Sequence, residues 1–387
     1  MTRAFLVLFA LLWSSMAPAY DVFDKELPDR YFDRARARIF GFVQPRFRFV
    51  PDDPDAGTRG EVGFSVQRAR FEFGGDLFAP KDQHWGISIS HLFSIELVPE
   101  PRLVDAFLNL KFADELQLTV GQFKAPIHRG ILVSDQNNLF ADRNRVVSFV
   151  PDREIGAMIH GYWGRRFIEW QLALFNGDGP NRLDNINRKF LYVGRVVFSP
   201  WGTPGSAFEI LKDWRWEGDD RWRPVFSVGY SIHFNVDGPP GQEEAWIGNN
   251  AELFFHWRFL TAMSEFFYKV SDYQDPVLPD YRQYGGYLQV GAFLQGIPWL
   301  EDHVALMGRI EQANRFQALR VDVPVAGPLD PNQEVRNYSM GVGIYAGKPF
   351  FNFVQEFRLV ASYTIREELG GFPYKNNEFN VSTNLTF

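Results

Sequence analysis

The chain has 387 residues, a formal net charge of −7, no cysteine and 39 phenylalanines, with a mean hydropathy of −0.23. Lacking cysteine, it forms no disulfide and offers no thiolate metal site, and nucleic acid is not an expected partner. Many aromatics without long apolar runs suit a membrane sheet in which only every second residue faces lipid.

At the N-terminus, Arg3 precedes a ten-residue apolar core, AFLVLFALLW, which is too short to span a bilayer as a helix. Ala17-Pro18-Ala19 fits a small-x-small cleavage site, so residues 1–19 read as a cleaved signal peptide. After Ala19 no apolar run is long enough for a transmembrane helix. An exported chain that enters a membrane must then do so as a barrel. Residues 20–38 are polar and mixed in charge and read as a short periplasmic arm or helix.

Period-2 patterning begins at residue 39 and continues to 387. In 39–50, Ile39, Val43, Phe47 and Phe49 alternate with Gln44, Arg46 and Arg48. In 63–78, Ala69, Phe71 and Phe73 alternate with Arg68, Arg70 and Glu72, and in 103–112 Ala106, Leu108 and Leu110 alternate with Asp105, Asn109 and Lys111. Such alternation puts one face in lipid and the other in water. Further strands are expected at 85–97, 115–123, 155–162, 167–176, 190–199, 222–235, 251–257, 260–270, 285–294, 304–315, 337–346, 353–365 and 378–387. The fold class is all-β, a transmembrane antiparallel β-barrel of about sixteen strands. Trp and Tyr recur near strand ends, among them Trp163, Trp170, Tyr192 and Tyr345, and suit interfacial girdles. Residues 207–211 could add a short strand.

The alternation stops at 121–156, GQFKAPIHRGILVSDQNNLFADRNRVVSFVPDREIG. The stretch falls at the third long connection and reads as a loop folded into the lumen; a disordered outer loop is the alternative. Its charged residues Lys124, Arg129, Asp135, Asp142, Arg143, Arg145, Arg153 and Glu154 are the candidate constriction. Arg46, Arg48, Arg68, Arg70, Glu72, Asp105 and Lys111 are the candidate lumenal wall. The last strand, EFNVSTNLTF, ends in Phe387, which resembles the assembly signal of bacterial outer-membrane barrels.

Three motifs carry a family resemblance: GQFK-x-P at 121–126, PDREIG at 151–156 and FNGDG at 175–179. With VQRAR at 66–70 leading into Phe71-Glu72-Phe73, they resemble the phosphate-selective porin O and P family. The resemblance implies a sixteen-stranded barrel, a homotrimer, a third loop narrowing each pore, and lumenal Arg and Lys that pass anions. Glu154 stands where the family more often has Asp.

The expected function is a water-filled outer-membrane channel for small hydrophilic solutes, with an open question of preference for phosphate-like oxyanions. Positive charge at a narrow point favours anions, and the planar fork of Arg suits an oxyanion. The intermixed carboxylates could instead pair with these cations into a transverse field without strong selectivity. The expected surroundings are outer-membrane lipid, lipopolysaccharide and the barrel-assembly machinery. No cofactor or metal is expected, and the scattered His residues form no catalytic spacing. A plugged barrel acting as receptor or adhesin is the alternative, and a barrel-type hydrolase the remoter one.

Overall fold

In a computed structural model, the described residues are 20–26, 32–52, 59–80, 87–203, 224–239, 243–273, 280–297, 300, 303–318, 334–346, 356–369 and 377–387. The expected signal at 1–19 and the short strand at 207–211 lie outside them. Two successive strands, β1 (Tyr20–Glu26) and β2 (Phe32–Val50), open the sheet. There follow β3 (Glu61–Pro80), β4 (Ser88–Glu96), β5 (Arg102–Lys111), β6 (Gln117–Lys124), β7 (Arg153–Trp163), β8 (Ile168–Phe175) and β9 (Leu191–Phe198). The second half comprises β10 (Val225–Asp237), β11 (Glu244–Trp257), β12 (Leu260–Tyr273), β13 (Tyr281–Phe293), β14 (Val304–Ala318), β15 (Glu334–Ala346), β16 (Glu356–Glu368) and β17 (Glu378–Thr386).

From β2 onward each strand pairs antiparallel with the next, and β17 pairs with β2, so sixteen strands close into a barrel. The seam continues past β17. Phe387 donates to the carbonyl of Gly41 at 3.0 Å, and Gly41 donates to that of Phe387 at 3.0 Å.

The faces are inverted relative to a soluble sheet. In β10, Tyr230, Ile232 and Phe234 are exposed on the outside, whereas Ser231, His233 and Asn235 are buried inside. The same holds for Leu172 and Leu174 against Gln171 in β8, and for Leu253 against Glu252 in β11. Apolar side chains turn outward because hydrocarbon replaces water there. Among the described residues no helix is long and apolar enough to cross a membrane.

The segment expected as an arm or helix is a strand instead. β1 pairs with the start of β2, from Tyr20 opposite Ile39 to Glu26 opposite Arg34. Arg34, Arg36 and Arg38 alternate with Ala35 and Ala37, a period of two that the charge density had masked.

Trp163 stacks on Trp170 at 6.1 Å beside the β7–β8 turn, where Arg166 lies over the Tyr162 ring. Tyr345, expected in the girdle, is buried inside against Phe293, with Arg358 over its ring.

Candidate functional site

Residues 125–152 leave β6 and cross the interior of the barrel before rejoining the wall at β7. Pro126 and Pro151 bar them from extending the ladder. Ile127, Ile131, Val133, Leu139 and Val146 are fully buried, packed with Phe254, Met263 and Phe267 of the lumenal wall. Each such side chain contributes about 1.5–3 kcal/mol of burial, which is why an irregular segment holds one position.

Polar contacts fix its path. Lys124 Nζ donates back to the carbonyls of Leu132 and Val133 at 3.2 and 3.0 Å. A single helical turn, α1 (Arg129–Leu132), lies on the β10–β12 wall. There Ser231 Oγ donates to the Ile127 carbonyl, Gly130 N donates to Glu265 at 3.0 Å, and His128 Nδ1 lies 3.1 Å from Glu265 Oε2. Arg129 and Arg195 share Glu252 at 3.1 and 2.6 Å.

The loop then crosses to the opposite wall. Asp135 accepts from Arg143 at 2.7 Å and from Arg70 at 3.2 Å, with Arg68 at 3.5 Å. Arg358 of β16 donates to the carbonyls of Gln136 and Leu139. Asp142 accepts from Gln67, Asn380 and Arg46 of β3, β17 and β2. Arg145 N donates to Glu311 of β14 at 3.0 Å as the loop turns back.

The loop thus covers the β10–β16 side, and the β3–β7 side stays open. Between them lies a cavity of about 520 Å³, bounded by Leu132, Ser134, Gln136 and Asn137 of the loop and by Arg70, Glu72, Asp105, Lys124 and Arg153 of the wall. Toward the long-loop rim it meets, at Arg70 and Arg153, a second cavity of about 330 Å³. That one adds Arg68, Arg102 and Arg143 against Glu96, Asp135 and Asp152. A third, of about 340 Å³, shares Arg143 as a lining residue and holds Arg46, Arg48, Arg145, Arg309 and Arg366 against Asp142, Glu311 and Glu378. Burial would raise the loop carboxyls, yet the cations outweigh it. Arg143, Arg68 and Arg70 hold Asp135 well below the usual carboxylate range, and Arg153 and Arg143 hold Asp152 below its ordinary value.

Most of the residues read from sequence as constriction or wall line these three spaces; Glu154, Arg129 and Lys111 do not. Glu154 is fully buried in β7 and accepts from Gly177 N and Gly179 N at 3.2 and 2.9 Å. Gly177, at φ 87°, takes the left-handed conformation that such a carboxylate-capped turn requires. Glu154 therefore ties the PDREIG and FNGDG motifs to each other rather than facing solute. Arg129 faces the wall and belongs to the anchor. Lys111 sits at the short-turn rim, paired with Asp114 at 2.5 Å. Sequence reasoning missed the anchor acids Glu252 and Glu265 and the loop-bracing Arg309 and Arg358. It also missed lumen-facing apolar residues, Leu92, Phe107 and Met158, because a lumenal face was expected to be polar. A signal existed for Leu92 and Phe107, which stand in phase with polar residues of their strands. Among the described residues, no cluster of His, Asp and Glu is arranged to hold a metal.

The family model for phosphate-selective porin O and P matches residues 44–254. Three solved barrels share the fold. The outer-membrane channel DcaP of Acinetobacter baumannii has a TM-score of 0.56 at 11% identity, over 91% of this chain and 97% of that one. OmpT of Vibrio cholerae, in a trimer form, has 0.56 at 8%, over 91% and 99%. OmpF of Salmonella typhi, in complex with daunomycin, has 0.55 at 9%, over 91% and 98%. At these identities the likeness concerns the fold. No curated protein sequence matches the chain.

Proposed function

The chain belongs to the phosphate-selective porin O and P family, and we propose that this outer-membrane porin passes small hydrophilic solutes with a preference for anions, including phosphate-like oxyanions. The distribution of charge carries this reading. The chain as a whole is acidic, with a formal net charge of −7, yet its cations gather along the passage. The cavity of about 340 Å³ is lined by Arg46, Arg48, Arg143, Arg145, Arg309 and Arg366 against Asp142, Glu311 and Glu378. A low-dielectric wall focuses such a field and raises the local anion concentration.

Family and fold point to a channel rather than an enzyme. Residues 1–19 act as a cleaved export signal in this reading, and the chain lies among outer-membrane lipid and lipopolysaccharide. Phe387 is the recognition point for the barrel-assembly machinery. A homotrimer is proposed by analogy with the trimer form of the Vibrio cholerae barrel.

Purified protein in a planar bilayer tests the channel. Stepwise conductance is expected, with a reversal potential under a KCl gradient that reports anion preference. Arg143→Glu/Arg145→Glu should abolish that preference while steps persist. Cation preference in the unaltered protein overturns the anion reading, and absence of steps overturns the open channel in favour of a plugged barrel.

A further inference from the structure

Beside the crossing loop the passage has an uncommon lining for a channel that serves inorganic ions. Its walls include the apolar side chains of Leu92, Phe107, Phe123, Leu132 and Met158. Phe107 and Phe123 meet edge to face at 6.0 Å. The charges in this cavity divide into two sets. Arg153 is committed to Asp105 through Nε and Nη2, at 3.0 and 3.2 Å, and to Asp152. Arg70 is committed to Glu96 and Asp135. Among the described residues Lys124 and Glu72 have no such partners. Lys124 Nζ donates to two carbonyls, and Glu72 accepts from Ser94 Oγ at 3.1 Å. Neither has an oppositely charged side chain at ion-pair distance among the described residues.

Lys124 and Glu72, neither at ion-pair distance from an opposite charge among the described residues, thus line a cavity of about 520 Å³ with an apolar wall. We propose that this cavity is a transit site for zwitterionic α-amino acids with apolar side chains. The proposal rests on the open-channel reading above. The solute's carboxylate meets Lys124, its ammonium meets Glu72, and its side chain lies on Phe107, Phe123 and Met158. A zwitterion compensates both wall charges, whereas a monopolar ligand of the same shape leaves one uncompensated in a partly desolvated site, which is costly. Inorganic phosphate compensates Lys124, is repelled by Glu72 and gains nothing from the apolar wall. The site stays weak, because a channel must release what it binds.

Three ligands of one shape discriminate: L-phenylalanine, 3-phenylpropionate, which lacks the ammonium, and phenethylamine, which lacks the carboxylate. Each is added to full-length protein conducting KCl in a planar bilayer, and the concentration giving half-maximal current block is read. The unaltered channel should be blocked by phenylalanine at about tenfold lower concentration than by either isostere, since a site built for a polar group rejects analogues without it. Glu72→Gln should move the preference to 3-phenylpropionate, and Lys124→Met should move it to phenethylamine. Liposome swelling with the three solutes gives the same ranking without any variant. Equal block by all three, or strongest block by 3-phenylpropionate or by inorganic phosphate, overturns the amino-acid site and leaves the channel standing. Absence of conductance steps removes the channel itself.

Discussion

Arg129 binds Glu252 twice, through its backbone N at 3.1 Å and its Nη2 at 3.1 Å, across a sequence separation of 123 residues. Both side chains are 1% exposed. The contact fastens the loop to β11 deep inside the barrel, where Arg195 also needs the same carboxylate. Removing one partner of a buried pair costs about 3–5 kcal/mol, because a charge is left behind without compensation. Glu252→Gln should therefore lower the temperature at which the folded band is lost on gels and make single-channel currents noisier. The double variant Arg129→Gln/Glu252→Gln should lose less than the sum of the single effects, the coupling expected of groups in contact.

Asp135 gives a pH dependence with a definite sign. Burial raises its carboxyl, but Arg143, Arg68, Arg70 and Lys124 together depress it well below the ordinary value. A depressed native value means that its stabilising contribution is full above the unfolded value of about 3.9, and is lost only as pH falls through the lower native one. Its part in the permeability ratio should thus stay constant from neutral pH down to about 4, near the unperturbed carboxylate value. Asp135→Asn, which releases Arg68, Arg70 and Arg143, should raise anion preference throughout that range. Reversal potentials at stepped pH check both statements, and an unchanged ratio in the variant contradicts the second.

Glu154 makes a separate prediction because it serves a loop and not the passage. Glu154→Ala leaves Gly177 N and Gly179 N without their acceptor, at a cost of about 1–3 kcal/mol for groups that stay buried. Limited trypsin digestion of the folded protein should then cut at Arg182 or Arg188 faster than in the parent. Conductance and ion preference should be preserved.

The seam between Gly41 and Phe387 leaves no room for a side chain. A Cβ at Gly41 would meet the Arg70 carbonyl and come within 3.0 Å of the Phe387 ring. Gly41→Val should therefore block closure between β2 and β17, seen as loss of the compact, heat-modifiable band. A folded band at parental yield contradicts this.

The wall was legible in the sequence because lipid enforces it. A residue facing hydrocarbon must be apolar and its neighbour across the pleat need not be, so Leu108, Leu172, Ile232 and Leu253 mark their strands with no knowledge of the rest. β1 was illegible for the opposite reason: its partner stretch carries Arg34, Arg36 and Arg38, whose alternation with alanine lacks the large apolar side chains that mark a lipid-facing strand. The loop could be found by its broken periodicity but not oriented. Nothing local tells that Arg129 turns to Glu252 while Arg143 turns to Asp135, since each choice depends on a partner from a distant strand or on the loop's own fold. The lumenal aromatics were hidden in plain alternation. Phe107 stands in phase with Asp105 and Asn109, and was read past because that face was assigned to water.

A single-layer wall is soft against flattening, since a cylinder one sheet thick ovalises with little change in any hydrogen bond. The crossing loop opposes this. It is fastened at Glu252 and Glu265 on one side and at Arg70, Asn380 and Arg358 on the other, so it works as a tie rod across the diameter. The bore of this channel is then fixed by the length of a chord as well as by strand number. A nick in the loop would widen the route even if every strand stayed paired.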